Sequence, residues 1–522
     1  MYSQTFTGSL HGLEAELVTV ETDLSPGLPG VTVVGLPDTS VREARERIRT
    51  AMSNAGYCFP TKRITVNLSP ADSKKEGTHF DLPIAVGIMA ATGDLKAELL
   101  KDYAFMGELS LNGKINGIHG ALPLAIGLRN RGIRKLILPF GNKEEVSILE
   151  DMEIYPVGHL SDVDAHFSGY QVIKRYIRRP RKSPAPNKQA AGDFADVAGQ
   201  EEVKRALQVA AAAAHNLLMI GPPGAGKTMM ARLVPGILPA MTYEERLEVT
   251  KIYSIAGELP ESSGIIEERP FRSPHHTISP IALIGGGRRP MPGEVSLAHY
   301  GVLFLDELPE FQRKVLEVLR QPLEDERVNI ARAVSTITYP AKIMLIASMN
   351  PCPCGYFGSD SHTCTCTDYQ IHKYMSKISG PLLDRIDIHI EIMPVPFEQL
   401  MGVYKIQKKL PTKNSLEMRT EVEAARKIQL QRYKSETIFY NSQLTPKLIK
   451  KYCPLDKEST ELLKQAFEKY NLSARVYQKI IKLARTIADL EGKQQITLNH
   501  IAEAIRYRSL DKNYWKEPDS GI

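Results

Sequence analysis

The chain has 522 residues, 43% of them apolar and 24% charged, with a formal net charge of +6. That length exceeds one ordinary core and calls for two to four globular domains, while mild basicity permits a nucleic-acid partner without requiring one. No membrane span is expected, because the most apolar stretch, Leu207 to Ile220, includes a His and an Asn and falls short of the roughly 20 apolar residues a bilayer needs.

The opening Met1-Tyr2-Ser3-Gln4-Thr5 has no basic region followed by an apolar run, which predicts a cytoplasmic protein without a secretory signal. Residues 1–170 read as one mixed domain. Leu17 to Asp23, Val31 to Val34 and Arg63 to Leu68 are strand-like, and Thr39 to Asn54 is helix-forming with Asp38 placed to cap it. Residues 171–192 are basic and contain Pro180, Pro184 and Pro186. They have no apolar periodicity and read as a linker whose charge could also meet a phosphate backbone.

Residues 193–395 carry the chemistry. Leu217 to Ile220 is a short buried-strand pattern that runs into Gly221-Pro222-Pro223-Gly224-Ala225-Gly226-Lys227-Thr228. Strand, glycine-rich loop and helix in that order form a phosphate-binding P-loop: the glycines let backbone amides face the phosphates. Lys227 is expected to bridge the β and γ phosphates of ATP, and the Thr228 hydroxyl to hold Mg²⁺.

The long interval up to Asp306 contains Ser273-Pro274-His275-His276-Thr277 and Gly285-Gly286-Gly287-Arg288-Arg289-Pro290. Its glycines and prolines predict hairpins or loops. Arg288 and Arg289 are candidate DNA-backbone contacts, with solvated loop charge the competing reading. Without a carboxylate or cysteine close by in sequence, His275 and His276 fit packing or nucleotide-linked loop contacts better than a metal site.

Gly301 to Leu305 is an apolar strand ending in Asp306-Glu307. Asp306 suits Mg²⁺, and Glu307 the orientation or deprotonation of an attacking water. A third strand, Ile343 to Ser348, delivers Asn350, whose neutral amide can reach a γ-phosphate or the lytic water. Arg385 and Arg475 are free to serve as phosphate-reading cations or as members of intrachain ion pairs.

Six cysteines are present, four of them in Cys352-Pro353-Cys354 and Cys364-Thr365-Cys366. Two close thiolate pairs suit structural, tetrahedral Zn²⁺. Unliganded thiols and redox or iron–sulfur use are the alternatives, and the tight Cys-x-Cys spacing is unusual for a zinc knuckle. Residues 396–522 turn helical, with segments at Glu421 to Tyr433, Thr445 to Tyr452, Lys457 to Lys469, Ala474 to Leu490 and Thr497 to Arg508, and read as a helical lid.

Gly221 to Thr228, Val302 to Glu307, Asn350, Leu382-Leu383-Asp384-Arg385 and Leu472-Ser473-Ala474-Arg475 together resemble the magnesium-chelatase-like branch of AAA+ ATPases, and more closely the YifB/ComM family. The likeness extends over nearly the whole chain, including His275-His276-Thr277 and Pro292 to His299. It implies an α/β AAA+ core with a helical lid, Asp306 and Glu307 as Walker B, Asn350 as sensor 1, Arg385 as a finger in a neighbouring subunit's site and Arg475 as sensor 2. It further implies a hexameric helicase that branch-migrates forked or branched DNA during natural transformation, with a recombination protein as a possible partner.

Lys74 to Val86 and Gly107 to Ile115 resemble the α+β Lon-type protease domain. Where that domain carries its Ser and Lys, this chain has His79 and a position near Leu122, so a platform lacking the catalytic dyad is expected. A motor that remodels a protein or metallocofactor, as in magnesium chelatase, is the other output considered. The fused amino-terminal domain argues for DNA, since the chelatase motor is taken to lack it.

Overall fold

Every second position from Val18 to Leu24 and from Ile64 to Leu68 is buried and those between are more open, which makes these segments two-faced strands, and the amino-terminal domain is built around them. The computed structural model describes residues 1–178, 192–260, 264–287, 290–331, 336–358, 362–395, 413–470 and 472–508. Most of the basic linker, Arg288 and Arg289, and the first part of the 396–522 region lie outside the described residues.

The first domain comprises β1 (Tyr2–His11), β2 (Glu14–Ser25), β3 (Gly30–Val34), β4 (Arg63–Ser69), β5 (Tyr103–Phe105), a small hairpin of β6 (Glu108–Leu109) and β7 (Ile115–Asn116), β8 (Lys135–Pro139) and β9 (Glu153–Val157). Its main sheet has the order β3-β4-β2-β1-β5-β8-β9. Helices Thr39–Asn54 and Asp81–Thr92 contribute to the core on one face, and helix Ala121–Asn130 to that on the other. Asp38 caps the first of these as expected, its Oδ1 accepting the Val41 N–H at 2.9 Å.

The second unit contains β10 (Leu217–Ile220), β11 (Phe271–Arg272), the hairpin β12 (Gly285–Gly286) and β13 (Met291–Pro292), β14 (Val302–Leu305), the hairpin β15 (Arg327–Ala331) and β16 (Thr336–Pro340), β17 (Met344–Met349) and β18 (Ile388–Glu391). Five strands form a parallel sheet in the order β11-β14-β17-β10-β18. β10, β14 and β17 are buried at every position, as a parallel sheet covered on both faces requires.

The carboxy-terminal helices Ser415–Arg432, Pro446–Tyr452, Lys457–Tyr470, Ala474–Leu490 and Leu498–Arg506 pack against one face of this sheet in a shared core. The first starts earlier than expected because Asn414 and Glu417 form a capping box. In the interval before β14, the glycine-rich stretch is a hairpin, but a 14-residue helix, Tyr243–Ala256, precedes it. That helix packs on the amino-terminal domain: Tyr243 donates to the Ile148 carbonyl at 2.9 Å, and the Gly120 N–H to the Ser254 carbonyl at 3.0 Å.

Candidate nucleotide-binding site

β10 delivers the P-loop from the carboxyl edge of the sheet, where ligands of parallel α/β sheets are bound. Gly221 is forced by space, since a Cβ there would stand 2.3 Å from the Ile392 carbonyl oxygen. Gly226 is forced by conformation, with φ +87 and open space beside it. Helix Lys227–Leu233 follows at once.

Lys227 Nζ donates to the carbonyls of Gly221 at 2.5 Å and Pro222 at 3.0 Å, and to Asn350 Oδ1 at 2.9 Å. Burial lowers its pKa to about 8, while Asp306 and Glu307 nearby favour the charged form. Three neutral acceptors orient the ammonium without cancelling its charge, which suits it to a polyphosphate.

β17 lies between β14 and β10, so Asn350, just beyond its end, meets Lys227. The Thr228 hydroxyl donates to Asp306 Oδ2 at 2.6 Å. Asp306 Oδ1 accepts from the Ser348 hydroxyl and from the Glu307 N–H. One hydroxyl and one carboxylate converging here form a small set of hard oxygen donors, the kind that fits Mg²⁺ with most of its water shell retained.

Glu307 has φ +53, an uncommon conformation for a non-glycine residue. Its carboxylate Oε2 lies 3.6 Å from His276 Nδ1. This corrects the expectation that the His pair has no carboxylate nearby: His276 and Glu307 are distant in sequence but adjacent in the fold. Ser348, holding Asp306, is a second residue that the motifs did not reveal.

Arg385 and Arg475 sit elsewhere. Arg385 precedes β18, and its NH2 pairs with Glu324, its Nε donates to the Arg320 carbonyl and its NH1 to that of Pro381. Arg475 NH1 is 3.2 Å from Asp384 Oδ2. Both line a cavity of about 590 Å³ that also includes Asn216, the residue before β10. They therefore lie at the amino edge of the sheet, while the P-loop lies beyond the carboxyl edge.

The cysteines converge. The Sγ atoms of Cys352, Cys354, Cys364 and Cys366 all lie within 4.8 Å of one another. Separations of 3.3 Å (Cys352 to Cys354), 3.7 Å (Cys352 to Cys364) and 3.6 Å (Cys354 to Cys364) compare with the roughly 3.8 Å edge of a tetrahedron having metal–sulfur bonds of about 2.3 Å.

In the amino-terminal domain His79 is buried and its Nε2 meets the Gly8 carbonyl at 2.8 Å; Leu122 is fully buried. The Ser73 hydroxyl lies 3.0 Å from Lys75 Nζ, which also donates to the Ser73 and Pro70 carbonyls. Burial pushes the Lys75 pKa down, against the carbonyls that favour the charged ammonium.

Three family models cover most of the chain. Residues 193–400 match "Magnesium chelatase, subunit ChlI", residues 20–142 match "Subunit ChlI of Mg-chelatase", and residues 412–508 match "Magnesium chelatase, subunit ChlI C-terminal". The competence protein ComM of Haemophilus influenzae is 44% identical over 502 residues, 96% of each chain. The YifB protein of Escherichia coli K12 is 42% identical over 501 residues, again 96% of each. The chain belongs to the YifB/ComM family.

Membership in this magnesium-chelatase-like, ATPase-associated family accords with the mixed α/β architecture and carboxy-terminal helical region. Weaker, partial likeness links the YifB/ComM chain to Lon protease of Rhizobium meliloti, 27% identical over 29% of this chain, and to Lon protease 2 of Bacillus subtilis, 32% over 28%. Among the described residues no helix is long and apolar enough to cross a membrane.

Proposed function

We propose that this chain is an ATP-hydrolysing ring motor acting on branched DNA. The observation that carries the ATPase reading is the meeting of Lys227 with Asn350, and of Thr228 with Asp306, at one edge of the sheet. In this reading the Gly221 to Gly226 backbone and Lys227 bind phosphates, and Thr228 and Asp306 hold Mg²⁺. Glu307 orients or deprotonates water, and Asn350 reads the γ-phosphate. Mg²⁺ supplies neutralisation of the charge that develops on the phosphates.

Arg385 and Arg475 support assembly. A four-residue strand spans roughly 13 Å, so two arginines at the amino edge are badly placed for their own P-loop, which leaves that of a neighbouring copy as the one we assign to them. Both then act in trans, in a closed ring that we take as a hexamer from the family resemblance. The amino-terminal domain is read as a Lon-like platform without protease activity, because His79 and Leu122 stand where a dyad is needed. The four cysteines are read as structural Zn²⁺ ligands, and such reduced thiolates suit the cytoplasm.

DNA as the moved object is favoured by the Haemophilus relative being a competence protein, with forked or four-way substrates and a recombination protein as partner. The chelatase-like alternative, a motor that remodels a protein or metallocofactor, is supported by the family descriptions. The fused amino-terminal domain does not separate the two, because residues 20–142 themselves match a description that names the chelatase subunit. The test is ATP hydrolysis with and without forked and four-way-junction DNA, together with strand displacement. Hydrolysis unaffected by DNA, without junction binding or strand movement, rejects the helicase reading and leaves the ATPase standing.

A further inference from the structure

The cysteine loop forms part of the nucleotide site's wall. β17 ends at Met349, Asn350 bonds Lys227, and two residues later Cys352 is fully buried in the apolar cluster that also holds Leu305, Met349 and Phe311. The Cys352 sulfur accepts the Phe357 N–H at 3.3 Å, and the Gly355 N–H donates to the Cys352 carbonyl at 3.0 Å, which folds the loop into a tight turn. At the close of that turn Gly355, with φ +88, abuts the P-loop: a Cβ there would stand 2.6 Å from Cδ and 2.9 Å from Cγ of Pro223. The loop thus touches the phosphate-binding segment at Pro223 and is continuous with Asn350, which bonds Lys227.

Cys354, Cys364 and Cys366 are only half-buried, so the loop has little apolar core of its own, and a metal held by four sulfurs supplies the missing cross-link. We propose that metal binding at Cys352, Cys354, Cys364 and Cys366 acts as a clamp that sets nucleotide affinity, by seating Gly355 on Pro223 and fixing Asn350 against Lys227. The proposal rests on two readings above, the P-loop as an ATP site and the cysteines as zinc ligands. Zinc and nucleotide are then thermodynamically coupled, and the coupling is reciprocal: each ligand tightens the other by the same factor.

The experiment uses the purified full chain. Zinc per chain is measured by elemental mass spectrometry. Affinity for a fluorescent ATP analogue is measured with Mg²⁺ in excess on protein that is zinc-loaded, stripped by a zinc-selective chelator, and replenished. We expect one zinc per chain, nucleotide binding weakened about tenfold on stripping, a typical size for coupling between sites, and recovery on replenishment. Zinc affinity, from chelator competition, is expected to rise by the same factor when nucleotide is present. Gly355→Ala, which pushes a methyl group into Pro223, is expected to keep its zinc and still lose affinity, so the proposal does not depend on the stripped chain remaining folded.

Unchanged nucleotide affinity on stripping, or wild-type affinity in zinc-loaded Gly355→Ala, overturns the clamp while leaving the zinc site intact. A chain that neither contains nor takes up zinc overturns the metal reading as well, and the P-loop reading then survives if nucleotide binds. Zinc-loaded protein that binds no nucleotide overturns the P-loop reading instead.

Discussion

His276 Nδ1 stands 3.6 Å from Glu307 Oε2, and the glutamate so approached has its backbone at φ +53. A carboxylate that orients water must itself be oriented, and a half-exposed side chain on a strained residue gains that order from a neighbour. His276 is therefore a positioning residue in the proposed ATPase site. His276→Ala is expected to lower kcat about tenfold with KM for ATP unchanged, and His276→Asn to recover part of the loss. Steady-state kinetics with unaltered kcat for the alanine variant would remove His276 from the site.

Lys227 and Glu307 separate binding from turnover. Lys227→Ala removes charge-assisted bonds worth roughly 3 kcal/mol and is expected to weaken ATP binding about 10²-fold. Glu307→Gln is expected to bind ATP normally and to hydrolyse it about 10²- to 10⁴-fold more slowly. Equilibrium binding and single-turnover hydrolysis measure the two effects; equal affinity losses in both variants contradict the assignment.

Arg385 and Arg475 give a subunit-mixing prediction. Each alanine variant is expected to bind ATP and fail to turn it over. Mixing inactive Arg385→Ala with inactive Glu307→Gln restores an intact Glu307 facing an intact Arg385 at about a quarter of the interfaces of a randomly assembled head-to-tail ring. Recovered hydrolysis in the mixture is the expected result. Its absence, in mixtures that native mass spectrometry shows to co-assemble, argues against the finger acting in trans.

Glu145 makes stability depend on pH. It is buried between the amino-terminal domain and helix Tyr243–Ala256, accepting from Ser254 Oγ at 2.6 Å and Asn142 Nδ2 at 2.5 Å, and burial pushes its pKa up to about 7. The fold therefore holds a proton that the unfolded chain releases at a lower pH. The stabilisation is full below the ordinary carboxyl range and fades as pH rises toward 7, an effect of order 3 kcal/mol at most. Glu145→Gln, which keeps the neutral geometry, is expected to raise the melting temperature above pH 7 and to flatten its dependence between pH 5 and 7. A wild-type melting profile for the variant rules this out.

What could be read directly from the sequence was what is contiguous. The P-loop, Asp306-Glu307 and Asn350 each follow an apolar strand within a few residues, and strand, turn and helix chemistry is local. The carboxy-terminal helix Ala474–Leu490 was visible from composition, and the structure adds Ser473 as its cap. Hidden from the sequence were contacts between segments that only tertiary packing unites: His276 with Glu307, Ser348 with Asp306, and Gly355 with Pro223. The edge of the sheet occupied by Arg475 was equally hidden, because it depends on where helix Ala474–Leu490 packs, beside Asp384 in the segment before β18.

Helix Tyr243–Ala256 belongs by sequence to the ATPase unit but packs on both units: Val249, Ile252 and Tyr253 share an apolar cluster with Leu297, while Tyr243, Leu247 and Ser254 meet the amino-terminal domain. Its C-cap, Gly257, sits where a Cβ would be 2.3 Å from the His119 ring, and Ile265 just beyond it is buried among that domain's apolar residues. A cut between the domains in the linker therefore leaves a seam elsewhere. A chimera that exchanges residues 1–170 between relatives has to preserve the face this helix and its following turn present to that domain, so compatibility between the units is written in residues far from the linker.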